Sequence, residues 1–179
     1  MYKINSLMII VLRLNHRIAR DKRLSTHVAL TARAFLADKL YYSGQHDLNF
    51  EESINKVTEK FGSNFSINYL ENPIKFIQEN KQKFTIIHLT CYGLNIKDKI
   101  DEIRKNKNLI IIVGGEKVEP IFYKLAKYNI SVTQQPISEV SALAVFLHLL
   151  NKGKELKNEF KNAKLKIIPM ESGKKVIKN

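Results

Sequence analysis

A run of five apolar residues, Leu109 to Val113, ends abruptly in the pair Gly114-Gly115. An unbroken aliphatic run of this length predicts a strand buried on both faces, the environment of a central strand in a parallel sheet. Glycines directly after such a strand leave bare backbone at the carboxyl edge of the sheet, where open α/β folds bind nucleotide-like ligands. The chain is therefore expected to build a parallel sheet with a ligand site at that edge.

A second predicted strand, Asn129 to Val132, ends in Thr133-Gln134-Gln135-Pro136, and a helix is predicted to open at Ser138. Parallel strands end at the same edge of a sheet, so the two strand ends are expected to face one cleft. The pair predicts a single ligand site without identifying its ligand.

The rest of the chain alternates between strand and helix patterns, as βαβ units require. Asn72 followed by Pro73 marks one helix start, because asparagine caps the orphaned amides and proline fits the first turn. The fold class is predicted to be α/β, a parallel sheet with helices on both faces. The remaining strands are predicted at Met8 to Arg13, Lys39 to Tyr42, Phe65 to Tyr69 and Phe84 to Leu89, and the helices at Thr26 to Ala37, Ser53 to Phe61, Pro73 to about Lys81, Lys97 to Lys105, Pro120 to Lys127 and Ser138 to Leu150.

The composition changes after Asn151, where apolar residues become rare and lysines recur. Lys164 to Ile168 alternates like a strand, Ser172-Gly173 offers a turn, and Lys174 to Ile177 can return as the partner strand. We predict a basic C-terminal hairpin extension over residues 152–179, packed on the same domain as residues 8–151, with residues 1–7 a disordered extension. On composition alone, a solvated disordered tail is an equally good interpretation of the end of the chain.

Composition excludes several classes of protein. The 179 residues are 44% hydrophobic and 26% charged, which is ordinary for one globular domain. No apolar stretch approaches the roughly 18 residues of a membrane span, and the start lacks a signal-peptide cleavage pattern. Cys91 is the single cysteine, and the histidines lack metal-ligand spacing, so neither a disulfide framework nor a metal site is expected. We expect an intracellular, cytoplasmic protein.

A net charge of +13 favours a polyanionic partner, because neutralising phosphates with Lys and Arg releases counterions. A general bias toward Lys, Asn and Ile is the alternative source of this charge. The densest cationic segment is predicted to be a loop after the first strand that contacts RNA phosphates; a solvated loop paired with Asp21 is the alternative. Its members are Arg13, His16, Arg17, Arg20, Lys22 and Arg23.

Three further features lie outside the run of cationic residues or between its end and the next helix: Arg33, the pair Ser25-Thr26 and His88. Arg33 lies in an otherwise apolar stretch and is expected to point into a site or an interface, since a buried arginine is costly unless paired. A long side chain that extends to water is the alternative. Ser25-Thr26 is predicted to cap the helix that contains Arg33. His88, at a strand end, is interpreted as a core histidine.

Neither the phosphate-loop nor the dinucleotide glycine pattern is present in the sequence, which disfavours a nucleotide-dependent oxidoreductase.

Motifs along almost the whole chain from Met8 resemble one family. They are Leu12 to Arg17, Asp21 to Arg23, Thr26 to Phe35, His88-Leu89-Thr90, Tyr92-Gly93, Val113 to Val118, Gln135-Pro136, Ser138 to Val140, Ala142 to Val145, Phe160-Lys161 and Gly173 to Val176. With these segments the chain resembles the archaeal tRNA (cytidine-56-2′-O)-methyltransferases, members of the SPOUT knotted methyltransferases.

The resemblance implies a trefoil knot in the C-terminal half, a homodimer, and S-adenosylmethionine held by the knot loops. It also implies methyl transfer to the 2′-oxygen of a cytidine in the T-loop of tRNA. Carried over position by position, the cofactor site comprises Leu89, Gly114, Gly115, Glu116, Lys117, Val118, Val132, Thr133, Gln134, Gln135, Pro136, Ile137, Ser138 and Glu139.

Arg33 matches an arginine that, in the wider group of SPOUT methyltransferases, is proposed to act on the ribose hydroxyl. A guanidinium is too basic to act as a general base, so we expect Arg33 to orient the 2′-hydroxyl and stabilise the developing alkoxide. Glu116 or Glu139 is expected to complement the cationic sulfonium, with helix capping as the alternative reason for either carboxylate.

Four positions depart from the family pattern, one of them Pro120, which lies one place later than the expected proline. Asn15 stands where a glycine is usual, Gln134 where an asparagine is usual, and Ile137 where a histidine is usual. Gln134 and Ile137 fall in the implied cofactor segment, so backbone contacts rather than side-chain contacts are expected to carry over there. The alternative function is a non-catalytic RNA-binding protein that has kept the SPOUT fold.

Overall fold

The computed structural model describes residues 7–115 and 117–179, without the side chain of Lys22. Strands and helices alternate along almost the whole described chain. In chain order they are β1 (Met8–His16), α1 (Ile18–Ala34), β2 (Lys39–Gly44), α2 (Leu48–Phe61), β3 (Ser66–Tyr69), α3 (Pro73–Asn80), β4 (Thr85–Asn95), α4 (Ile96–Ile103), β5 (Asn108–Val113), α5 (Pro120–Leu125), β6 (Tyr128–Ser131), α6 (Glu139–Asn151), a 3₁₀ turn (Lys154–Lys157), β7 (Leu165–Ile168) and β8 (Lys175–Lys178).

The main sheet has the strand order β3-β2-β1-β5-β4-β6, with every neighbouring pair parallel. β1 and β5 lie side by side in its centre, where Ile10 is level with Ile110 and Arg13 with Val113. The apolar run of β5 is almost completely buried, as its sequence predicts. Each strand needs a helical crossover to return parallel, which accounts for the alternation.

Helices cover both faces of this sheet, which confirms the predicted α/β class. Successive residues of β1 point to opposite faces, so Ile9 and Val11 join one core and Ile10 and Leu12 the other. The first core is completed by residues of α1, α2, α4 and α6, and the second by residues of α3 and α5. Asn72 caps α3 as predicted, its Oδ1 accepting from Lys75 N at 2.9 Å.

The predicted start of the first helix is wrong. α1 begins at Ile18 rather than Thr26, so the cationic segment from Arg20 onward lies on a helix and not on a loop. Ser25 does not cap it, because its hydroxyl lies inside the fold, 2.8 Å from the Nδ1 atom of His16. Alanine, arginine and lysine in this segment are good helix formers, and the burial of Ser25 removes its competition with the backbone.

β4 leaves the regular ladder between Leu89 and Leu94, and both of these residues pair with Ile130 of β6. The excursion is held against β6 by a close backbone approach at Gly93. A Cβ atom on Gly93 would lie 2.5 Å from the carbonyl carbon of Asn129 and 2.5 Å from the amide nitrogen of Ile130. Glycine is therefore required here for contact and not for an unusual dihedral angle.

β1 carries a second irregularity, between Arg13 and His16 in its pairing with β2. Asn15 has a φ of +57° there, in the left-handed region. Asparagine tolerates this region better than most non-glycine residues, which explains how it can occupy this position.

The residues after Asn151 are described as part of the folded chain. β7 and β8 pair antiparallel, with Ile167 opposite Val176. The segment before them touches α2 closely, because a Cβ on Gly62 would lie 2.5 Å from the carbonyl oxygen of Lys161. Lys164 also forms an ion pair with Glu59 of α2.

At the amino terminus, most of the predicted disordered extension, residues 1–6, lies outside the described residues. Leu7 is described, and its side chain packs against the first core. Within residues 7–115 and 117–179, no helix is long and apolar enough to cross a membrane.

We predict that Gly93→Ala lowers the free energy of unfolding by about 3 kcal/mol, the upper end for overpacking, because backbone atoms cannot move aside. Gly115→Ala is the matched control, since its new Cβ would lie no closer than 3.7 Å to any atom. Urea denaturation followed by circular dichroism measures both. Equal stability of the two variants would contradict the close approach.

Candidate functional site

A cavity of about 340 Å³ lies at the carboxyl edge of the sheet, where β4, β5 and β6 end and α6 begins. Its volume falls in the range of small-molecule sites, roughly 300–1,000 Å³. The two predicted strand ends therefore face one cleft. Nine of the residues expected there line the cavity: Leu89, Gly114, Gly115, Val118, Val132, Thr133, Pro136, Ile137 and Glu139.

Other predicted site residues lie elsewhere. Lys117 and Ser138 are not part of the cavity lining, and Ser138 instead caps α6 with its hydroxyl 3.3 Å from Val140 N. Gln134 and Gln135 line an adjacent groove, on the side of the loop that faces α4 and α6. Glu116 lies outside the described residues.

The cavity also has walls that the sequence analysis did not assign to a ligand site. The excursion of β4 forms one wall, and the side of the fold that carries α5 contributes another. The residues are His88, Thr90, Cys91, Tyr92, Tyr123, Ile130 and Ala142. The predicted strand ends at Leu89, and although Thr90, Tyr92 and Gly93 belong to segments that carry the family resemblance, no periodic pattern distinguishes the segment before Gly93 as a wall.

A buried ion pair borders the cavity. Arg13 Nη2 lies 3.1 Å from Glu139 Oε1, and Arg13 Nη1 donates to the carbonyl oxygen of Leu14 at 2.8 Å. Oε1 is buried and accepts no hydrogen bond of good geometry within the described part of the chain. Burial lowers the pKa of the Arg13 guanidinium, while the carboxylates of Glu139 and Asp21 oppose that shift.

The prediction that Arg13 and His16 lie on an exposed loop is wrong. Both belong to β1, and both side chains are buried, Arg13 with 1% of its surface exposed. His16 lies between Ser25 and Asp47, with its Nε2 atom 3.4 Å from Asp47 Oδ2. This Ser-His-Asp arrangement is enclosed in the core, where no substrate reaches the serine hydroxyl.

The other cationic residues of the segment lie at the amino-terminal end of α1. Arg17, Arg20 and Arg23 are exposed. Arg17 Nε donates to Asp21 Oδ2 at 2.7 Å, and this hydrogen bond lowers the pKa of the Asp21 carboxyl. The side chain of Lys22 lies outside the described residues. An exposed cationic surface is thus formed by the helix rather than by the predicted loop.

Arg33 is not part of the cavity lining of its own chain. Its side chain is 6% exposed, Nη2 donates to the carbonyl oxygen of Gly62, and the guanidinium lies 4.9 Å from the ring centroid of Phe160. Burial lowers the pKa of this guanidinium. Within one chain, the structure places Arg33 against the C-terminal residues and apart from the cavity.

The cavity suits a nucleoside that carries a positive charge. Gly114 and Gly115 leave backbone exposed to a ligand, aliphatic side chains give apolar walls, and Glu139 supplies a carboxylate with an unsatisfied oxygen. Within the described residues, no group of three or more His, Cys, Asp or Glu side chains could hold a metal ion. The arrangement therefore favours binding and orientation of a small cationic ligand.

Comparison with known families gives a match over residues 61–177 to the model of the tRNA ribose 2′-O-methyltransferase aTrm56. The chain is 50% identical over 174 residues to the tRNA (cytidine(56)-2′-O)-methyltransferase of Thermococcus kodakarensis, covering 95% of this chain and 97% of that protein. It is 49% identical to the enzyme of the same name from Methanosphaera stadtmanae, covering 96% and 99% of the two chains.

Solved structures with a similar fold are more distant in sequence. A TrmH/SpoU tRNA modifying enzyme of A. aeolicus aligns with a TM-score of 0.59 and 20% identity, covering 83% of this chain and 76% of that one. The SpoU methyltransferase AviRb of Streptomyces viridochromogenes, crystallised with AdoMet, aligns with a TM-score of 0.62 and 11% identity, covering 82% and 57%. At these identities the likeness concerns the fold.

The buried cavity residue His88 generates a prediction about pH. Its Nδ1 lies 3.0 Å from Asn129 Oδ1, and burial lowers the pKa of the imidazole, opposed by that hydrogen bond. Below about pH 6.5 the His88 imidazole is therefore protonated more readily in the unfolded chain than in the folded protein. The contribution of His88 to the free energy of unfolding is fully present above that pH and is lost as the pH falls. The free energy of unfolding falls through this group by at most about 1.4 kcal/mol per pH unit.

We predict that His88→Gln flattens this dependence between pH 5 and 6.5 in urea titrations, since glutamine can still reach Asn129 and does not titrate. His27→Gln is the control, because His27 is exposed. The same slope in the His88 variant and the wild type would show that another group causes it.

Proposed function

The chain belongs to the aTrm56 family of tRNA ribose 2′-O-methyltransferases, and on that premise we propose that it methylates the 2′-oxygen of cytidine 56 in the T-loop of tRNA. One observation carries this function: about half of the residues are identical, over almost the whole chain, to enzymes of that name. The methyl donor is S-adenosylmethionine, as in this class of methyltransferase.

The cavity at the carboxyl edge fits this donor. We propose that Gly114, Gly115 and the loop Val132 to Ile137 hold its nucleoside part, and that Glu139 faces its positive charge. When bound, S-adenosylmethionine supplies an electrophilic methyl group on a cationic sulfur. The chain itself then contributes orientation and exclusion of water, which can provide much of the acceleration of a transfer between two bound groups.

Arg33 is proposed to act on the ribose. Its guanidinium cannot accept a proton at neutral pH, but it can donate two hydrogen bonds to the 2′-oxygen or an adjacent phosphate. Because Arg33 is not among the residues that line the cavity of its own chain, we propose a homodimer in which it serves the cavity of the partner. Its contacts with Gly62 and Phe160 would then be a resting position.

We propose that tRNA is bound by the exposed cations at the start of α1, namely Arg17, Arg20 and Arg23, together with lysines of the C-terminal hairpin. Their charge would attract phosphates without selecting sequence. Because its RNA substrate is there, we propose a cytoplasmic location. We also propose that the C-terminal half is threaded as a trefoil knot, since membership of the family implies it.

The function is tested by incubating unmodified tRNA transcripts with the protein and labelled S-adenosylmethionine, then mapping the product by nuclease digestion and mass spectrometry. We expect one methyl group, on the ribose of cytidine 56. Methyl on a base, or on a ribose outside the T-loop, would overturn the substrate. RNA binding without any binding of the methyl donor would favour the non-catalytic alternative.

We predict that Arg33→Ala lowers the rate of methyl transfer by about 100-fold or more, the typical loss for a group that stabilises a developing oxyanion. Calorimetry should show an unchanged dissociation constant for S-adenosylmethionine. Loss of cofactor binding with intact RNA binding would contradict the assigned role.

The dimer proposal makes a separate prediction with two inactive variants. Gly114→Arg blocks the cavity and keeps Arg33, whereas Arg33→Ala keeps the cavity. After random mixing of subunits, half of the dimers are mixed, and each holds one complete site if Arg33 acts across the interface. We therefore expect about a quarter of the wild-type activity to return. No recovery would mean that Arg33 acts within its own chain.

A further inference from the structure

Arg13 occupies an unusual place for a charged side chain, at the end of the central strand β1 beside Val113 of β5. Only 1% of its surface is exposed, so it cannot reach RNA outside the fold. A buried guanidinium is costly unless its charge is matched. The charge of Arg13 is balanced by the ion pair with Glu139, at 3.1 Å, and its guanidinium also donates a hydrogen bond to the carbonyl oxygen of Leu14.

Glu139 is the other half of the arrangement. It is the first residue of α6, and it lines the cavity while 15% of its side chain remains exposed. Apart from the Arg13 guanidinium, no donor among the described residues engages its buried Oε1, so without Arg13 the carboxylate would be free to turn toward water. Arg13 is therefore the group that fixes the carboxylate on the cavity wall.

Gly115 lies against both members of the pair. A Cβ atom built on Gly115 would be 3.7 Å from each terminal nitrogen of Arg13 and 4.0 Å from Glu139 Oε1. The guanidinium thus lies beneath the loop that follows β5 and reaches the start of α6. It connects two segments that line the cavity, and both are proposed to hold the cofactor.

We propose that Arg13 is a positioning residue for the cofactor site, which acts through Glu139 and is not an RNA contact. It holds the carboxylate toward the cationic part of S-adenosylmethionine. This inference rests on the proposed function, because it assumes that the cavity binds that donor.

Two readouts independent of catalysis test it. The first is the dissociation constant of S-adenosylmethionine, measured by calorimetry and by protection of Cys91 from N-ethylmaleimide. Cys91 is the only cysteine of the chain and lines the cavity, so its alkylation reports occupancy there. The second readout is the dissociation constant of unmodified tRNA without cofactor.

Arg104→Lys is the matched control for Arg13→Lys. Arg104 is also largely buried, pairs with Asp101 at 2.5 Å, donates to the carbonyl oxygen of Leu149, and has a buried Nε without a hydrogen-bond partner. It differs in lying away from the cavity. A lysine at either position keeps the charge but loses the two-pronged geometry.

We expect Arg13→Lys to weaken S-adenosylmethionine binding by about 10-fold and Arg104→Lys to leave it unchanged. Binding of tRNA should change less than about twofold in both variants, because neither side chain meets the RNA. Weaker tRNA binding with an unchanged cofactor dissociation constant in Arg13→Lys would overturn the inference and restore Arg13 as an RNA contact.

A double-mutant cycle shows whether Arg13 acts through Glu139. Arg13→Met in a Glu139→Gln background should add little further loss of cofactor affinity, since the carboxylate to be positioned is already gone. The double variant also removes both buried charges, so it remains measurable where Arg13→Met alone unfolds. When Arg13→Met alone cannot be measured, Arg13→Lys takes its place in the cycle. Additive losses would overturn the inference.

The wild-type protein separates this inference from the function on which it rests. A wild type that binds S-adenosylmethionine and methylates cytidine 56, together with an Arg13→Lys variant that binds the donor equally well, overturns the role of Arg13 alone. A wild type whose Cys91 is not protected by the donor, and which gives no binding heat, overturns the proposed function as well.

Discussion

The two central strands, β1 and β5, are buried on both faces, and the rest of the structure depends on this constraint. Along their length, both need apolar side chains almost without exception. Polar groups can therefore enter the centre of the molecule only where these strands end, at the carboxyl edge of the sheet. The cavity, the glycine loop, the Arg13–Glu139 pair and the start of α1 all lie at that edge, because it is where the apolar requirement stops.

Charge at this edge is divided between buried and exposed groups. Arg13 and His16 are enclosed and matched by partners inside the fold, whereas Arg17, Arg20 and Arg23 face water. The two sets follow one another within a few residues of sequence. A strand changes the direction of its side chains at every residue, and a helix presents a new face every few residues, so neighbouring cations can have opposite surroundings.

The sequence predicts the fold well where one periodicity dominates. The aliphatic run of β5, the Asn72-Pro73 start of α3 and the class of the sheet follow from local patterns. The start of α1 does not, because Ser25 has a tertiary partner, His16, that local capping rules cannot include. The nine predicted cofactor residues that line the cavity are implied by the family resemblance, and among them Gly114, Gly115, Val132 and Thr133 follow strand ends directly. The wall from Thr90 to Tyr92 depends on an excursion of β4 that only its packing against β6 reveals, and the burial of Arg13 is equally invisible in its charge.

The contacts of Gly62 and Arg33 show that the residues after Asn151 take part in the packing of the fold. A chain shortened at Asn151 would lose the backbone of Lys161 that packs on Gly62 and the ring of Phe160 that covers Arg33. The Cα of Gly62 and the guanidinium of Arg33 would then lose these neighbours. Residues 160–163 thus contact both α1, through Arg33, and the end of α2, through Gly62, and they hold the start of the basic hairpin against these two helices.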